Sequence, residues 1–146
     1  MSRRKKGTET WKRLLEWDNG QAPSERMAAL VLKRVGFTSV DPYHPLGGPD
    51  GLKDIVLKRD NIEWIAAVYF PRGQQSFGKI KNKFEDDLSG VESNDADGFV
   101  FFTNQELKLS EREELDELTD HPVNIFHLER ISSILNSTEC YGIRLD

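Results

Sequence analysis

Cysteine occurs once in the chain, at position 140. A single thiol excludes an internal disulfide framework and a Cys-clustered zinc site, and it suits a reducing compartment. No apolar run approaches the roughly 20 residues that a membrane span requires. The opening "MSRRKKGTE" has the positive start of a secretory signal, but no apolar stretch follows it. A cytoplasmic protein with no membrane partner is therefore expected. A basic excess is missing as well: 20 Lys and Arg stand against 25 Asp and Glu, a net charge of −5. Proteins that hold nucleic acid non-specifically are usually basic, because neutralised phosphates drive their affinity.

What the chain does contain is enough apolar residue for one core. At 146 residues, 37% of them hydrophobic, it is one domain's worth of sequence that can bury roughly 70% of its unfolded surface. The charge is unevenly placed. Arg3, Arg4, Lys5 and Lys6 form a basic head, Arg72, Lys79, Lys81 and Lys83 follow mid-chain, and acid collects in "SEREELDELTD". Most charge runs merely solvate a face, yet this spread also permits a local basic surface.

Hydrophobic spacing predicts the elements. "TETWKRLLEWDNG" reads as a helix stopped at Asn19-Gly20. "PSERMAALVLKRVGF" reads as a second helix, with Ser24 as N-cap, Gly36 as stop, and a stripe of Ala28, Val31, Leu32 and Val35. Glu25 lies three and seven residues before Ala28 and Leu32, so this acid faces inward with the stripe. "TSVDPYHPLGGPDG" is turn-rich and is expected to be a loop around a short extended piece. "KDIVLKRD" and "NIEWIAAVYF" follow as strands joined by a turn at Asp60-Asn61, the second apolar on both faces and so central. Helix "SFGKIKNKFEDDLSGVES" capped by Ser76, strand "GFVFFTN", acidic helix "LSEREELDELTD" capped by Ser110, strand "VNIFHL" and helix "LERISSILNS" complete the order. This alternation predicts an α/β fold with a mixed central β-sheet flanked by helices, in one domain over 1–146: an N-terminal basic head and helix over 1–20 and a core over 24–135. The abrupt end after "CYGIRLD" is also consistent with the N-terminal part of a larger protein.

The segments "SERMAALVLKRVGF", "GGPDGLKDIVL" and "WIAAVYF" with the helix after them resemble the restriction-endonuclease-like, PD-(D/E)xK superfamily. The resemblance runs over roughly residues 24–135. It implies a site in which a helix Glu, a strand Asp and a (D/E)xK triplet on the next strand gather around magnesium. Carried over by position, Glu25 matches the helix acid and Asp54 the strand acid, with Asp50 in the loop just ahead. The chemistry explains those residue types. Carboxylates hold a hard cation through oxygen while leaving places for water and phosphate, and the cation then acidifies the water and stabilises charge on phosphorus.

The triplet is where the chain departs from that pattern. It falls on Ala66-Ala67-Val68, with alanine for the acid and valine for the lysine, and Glu63 lies on the opposite face of the strand from Ala66 and Val68. Lys79 and Lys83, one helical turn apart, are the candidates for a relocated lysine. The sequence thus predicts a nuclease-like domain that has lost catalysis. Such a domain would bind nucleic acid or a protein partner, and by analogy alone it fits a bacterial defence or DNA-processing protein. It would need no cofactor, or bind Mg2+ weakly. Candidate phosphate contacts are Arg3, Arg4, Lys5, Lys6, Arg72, Gln74 and Lys79, since backbone contacts require only donors and positive charge.

Two further readings stand beside it. One is an active Mg2+-dependent endonuclease with a relocated acid or lysine. The other is a homodimerisation module built on exposed Trp11 and Trp17. "FPRGQQSF" lacks P-loop spacing, and His44, His121 and His127 lack the spacing of metal ligands.

Overall fold

The computed structural model describes the backbone of residues 2–42, 55–93 and 96–137, and side chains over 9–21, 23–38, 55–91 and 96–137. Among the described residues, five helices and five strands follow one another as α1 (Ser2–Leu15), α2 (Gln21–Arg34), β1 (Thr38–Pro42), β2 (Ile55–Arg59), β3 (Ile62–Tyr69), α3 (Phe77–Ser93), β4 (Gly98–Thr103), α4 (Leu109–Asp116), β5 (Val123–Phe126) and α5 (Leu128–Leu135). The strands form one mixed sheet in chain order, antiparallel from β1 to β3 and parallel from β3 to β5. The mixed α/β architecture expected from the hydrophobic pattern is present.

The β2–β3 hairpin is closed by two residues. Arg59 pairs with Ile62, and Asp60 and Asn61 take φ of 54° and 63°. Positive φ at both central positions matches the right-handed twist of the flanking strands, and Asp and Asn tolerate it better than most residues.

Strand alternation sorts the core into two layers. Ile55, Leu57, Trp64, Ala66, Val68, Phe70, Val100, Phe102 and Phe126 pack towards α1, α2 and α5. Ile65, Ala67, Phe99 and Phe101 pack towards α3 and α4, where Phe84 meets both phenylalanines edge-on at 5.1 and 5.2 Å between ring centroids. Both crossover helices, α3 and α4, lie on one face, as two crossovers of one hand must when they step in the same direction. Every residue of β4 is buried. Gly98 opens that strand because a Cβ there would stand 2.5 Å from the Trp64 indole.

The short extended piece expected in the turn-rich segment is present as β1, which pairs with β2 through a register shift between Thr38 and Asp41. Several other expectations need adjusting. Helix α2 begins three residues before Ser24, after Gly20, and the Ser24 hydroxyl donates to the Gln21 carbonyl at 2.6 Å. Helix α4 is preceded by Lys108 rather than capped by Ser110, and the Glu111 carboxylate accepts the Lys108 N–H at 2.8 Å. The basic head continues directly into α1 instead of forming a separate segment. Trp17 is not an exposed aromatic: it is buried edge-on against Phe70, with its indole N–H on the Gly20 carbonyl, while Trp11 is 38% exposed. Among the described residues no helix is long and apolar enough to cross a membrane.

Candidate functional site

The expected metal site would be assembled from α2, β2 and β3. Glu25 is buried at 9% exposure, as the inward register of its helix requires. Gln21, one turn earlier, donates its amide both to the Glu25 carboxylate and to the Val68 carbonyl, each at 3.0 Å. Glu25 is thereby tied to the carboxyl end of β3. Asp50 and Asp54 lie outside the described residues.

The middle of β3 supplies no carboxylate to either face. Ala66 and Val68 point into the α2 layer and Ala67 into the α3 layer, all with 2% exposure or less. Glu63 is exposed at the far end of the strand, opposite Lys58. Five residues separate it from Val68, roughly 16 Å at about 3.3 Å per residue, so it cannot join Glu25 without unravelling the sheet. Among the described residues no three His, Cys, Asp or Glu side chains are grouped to hold a metal. The described residues at the triplet do not fit a magnesium ion, and no catalytic step through one is derived.

The lysine candidates belong to the opposite layer from Glu25. Lys79 is exposed in the first turn of α3, where Ser76 caps the helix by accepting the Lys79 N–H at 3.3 Å. Lys83 pairs one turn onward with Asp87 at 3.0 Å. Asp87 is 2% exposed, and its second oxygen, Oδ2, has no hydrogen-bond partner. Burial pushes this carboxyl above its ordinary value, against the lowering effect of Lys83. Burial likewise raises the Tyr69 hydroxyl, opposed by the same lysine. Asp87 was overlooked in the sequence, although a signal was there: it sits three residues after Phe84 and seven after Ile80, in line with the apolar stripe.

The most organised polar cluster lies past the carboxyl ends of β3 and β4, the edge where open α/β sheets bind ligands. The Thr103 hydroxyl donates to the Tyr69 carbonyl at 2.7 Å. Asn104 is fully buried, and its amide donates to the carbonyls of Leu14 and Pro71, both at 2.7 Å. Gln105 donates to Asn104 at 2.9 Å and to the Gly73 carbonyl at 3.1 Å. Gln74 is held in the same way: its carbonyl oxygen accepts the Glu106 N–H at 2.9 Å, and its amide donates to the Glu106 carbonyl at 3.2 Å. Glu106 also meets His127 Nδ1 at 2.9 Å. Gln74 is thus committed to fixing the loop, while Arg72 beside it is exposed.

These bonds seat the loop on α1. The Gly73 N–H donates to the Leu15 carbonyl at 2.7 Å. Arg72 consequently faces Lys12 and Arg13 across an open cleft of about 550 Å³, shared with Glu9, Glu16, Asp18 and Asn19. Arg13 is paired with Glu9 at 3.0 Å, whereas Lys12 and Arg72 make no ion pair among the described residues. The side chains of Arg3, Arg4, Lys5 and Lys6 lie outside the described residues, though their backbone belongs to α1.

Comparison with protein-family models, with curated proteins and with solved structures finds no match.

Proposed function

We propose that this chain is a restriction-endonuclease-like domain that binds nucleic acid through its phosphates and does not cut it. The observation that carries the reading is β3: the strand that should bear the acid and lysine is filled by buried Ala66, Ala67 and Val68. The order of elements, an antiparallel hairpin leading through α3 into a parallel strand, supports the superfamily resemblance. Glu25 keeps the expected helix position, but its carboxylate serves as an acceptor for Gln21. Arg72 and Lys79, both exposed, offer positive charge without needing a metal.

The test incubates the protein with plasmid, single-stranded DNA and RNA, in magnesium or manganese, beside an Asp54→Ala variant, and follows binding by fluorescence anisotropy. Salt-sensitive binding with no cleavage by either protein is the expected result. Metal-dependent cleavage that disappears in the variant would replace this reading with an active endonuclease carrying relocated groups. No binding, together with a mass that rises with concentration, would replace it with a dimerisation module.

A further inference from the structure

The acidic balance of the chain hides a strongly polarised molecule. Helix α1 holds six bases (Arg3, Arg4, Lys5, Lys6, Lys12 and Arg13) and one acid, Glu9. Its net charge is therefore +5 within a chain of −5, which leaves −10 on everything else. Helix propensity does not need such a run, and several like charges within one turn repel one another. A basic helix with this density suits a polyanion.

The structure adds what the sequence could not: a second basic element at the inner end of the same helix. Pro71 and Gly73 flank Arg72, and both are bonded to the last turn of α1 or to the residue that holds it, through Gly73 N–H to Leu15 and Asn104 to Leu14 and Pro71. Arg72 therefore reaches the cleft from a backbone whose position is set, so ordering it on a ligand costs less entropy than ordering a free loop. Within the cleft Glu9 offsets Arg13. Glu16 and Asp18 face the same space, so a deeply inserted anion is disfavoured, and contact falls to the two cations without ion pairs, Lys12 and Arg72.

Resting on the nucleic-acid reading above, we infer that Lys12 and Arg72 form a paired phosphate contact, at which a nucleic-acid backbone running along α1 is held across the gap to the β3–α3 loop. This places the binding surface at the outer edge of α1, past the carboxyl end of β3. Lys79 then lies beyond the main track.

The experiment compares Lys12→Gln/Arg72→Gln with Lys33→Gln/Arg34→Gln, which removes the same charge from the exposed end of α2. Each is titrated against a labelled 20-base-pair DNA and a 20-nucleotide RNA between 50 and 200 mM salt. The Lys12/Arg72 double variant should bind about tenfold more weakly at low salt, with a slope of log affinity against log salt smaller by about 1.8 for two lost duplex phosphate contacts. The α2 double variant should behave as wild type. Equal affinity in both variants, with wild type binding well, would overturn the paired contact and leave the nucleic-acid reading standing. Failure of wild type to bind either polymer would remove that reading and this one with it. Binding to phosphatidylserine vesicles but not to the polymers would overturn both in favour of a lipid surface.

Discussion

Two carboxylates are buried on opposite sides of the sheet, and the protein treats them differently. Glu25 lies in the α2 layer, where a neutral amide, Gln21, both donates to it and anchors it to Val68 of β3. Asp87 lies in the α3 layer among Ile80, Phe84 and Val91, with a lysine on one oxygen and nothing on the other. Glu25 contributes a hydrogen bond that joins a helix to a strand. Asp87 pays desolvation for an ion pair whose lysine is 39% exposed and could be solvated without it. A buried acid is thus poor evidence of function by itself. Its partners decide whether it stabilises or merely persists.

The largest expected effect comes from stranding Asp87. Lys83→Met leaves a carboxylate with 2% exposure without its cation, and should cost about 2–3 kcal/mol at pH 7.5 in urea unfolding. A loss under about 0.5 kcal/mol would mean that water reaches Oδ2 and that the two acids are more alike than described.

Removing the acids themselves should separate them by sign. Glu25→Ala frees Gln21 from one acceptor and should lower stability by about 1 kcal/mol. Asp87→Leu replaces an incompletely bonded charge with apolar volume and should raise stability by about 1 kcal/mol. Thermal midpoints measured at one pH suffice, and a decrease in both variants would erase the contrast.

The smallest effect is in the pH dependence. Because burial raises the Asp87 carboxyl above its unfolded value of 3.8, the native state holds this proton more tightly than the unfolded chain. The resulting stability is fully present below pH 3.8 and is lost as pH rises through the folded-state value. Wild type should therefore show a downward contribution above pH 4 that Asp87→Leu lacks, and Lys83→Met should steepen it by removing the charge that opposes the shift. Unfolding curves at half-unit pH steps would detect this, and superimposable pH profiles for wild type and Asp87→Leu would refute it.

The same contrast shows how far the sequence could be read. The helical stripe that turned Glu25 inward and the strand pattern that made β3 central were both visible, because helix and strand periods are local properties. The hairpin at Asp60-Asn61 was visible for the same reason. Asp87 satisfied the same geometric test as Glu25, but it stands in an acidic run with Glu85 and Asp86, and the packing of α3 decides which of the three is buried. The cleft could not be found this way. Lys12 and Arg72 are 60 positions apart, and they are brought together by Asn104, a residue whose only sequence signal was the end of a strand. Strand β1 was legible only as a short extended piece in a turn-rich segment, because its pairing with β2, interrupted by a register shift, is a tertiary property.

Asn104 has a bearing on how the basic helix can change. Its two amide hydrogens are committed to α1 and to the loop carrying Arg72, and the residue is fully buried. Trimming away α1 would leave one of those donors facing the interior without an acceptor, and would take buried Leu14 with it and uncover the wall on which that side chain rests. The positive end of this protein is therefore a structural closure as well as a charge. Substitution on its outer face can retune that charge, but the helix cannot be discarded as a tail would be, so the charge and the integrity of the sheet's carboxyl edge are inherited together.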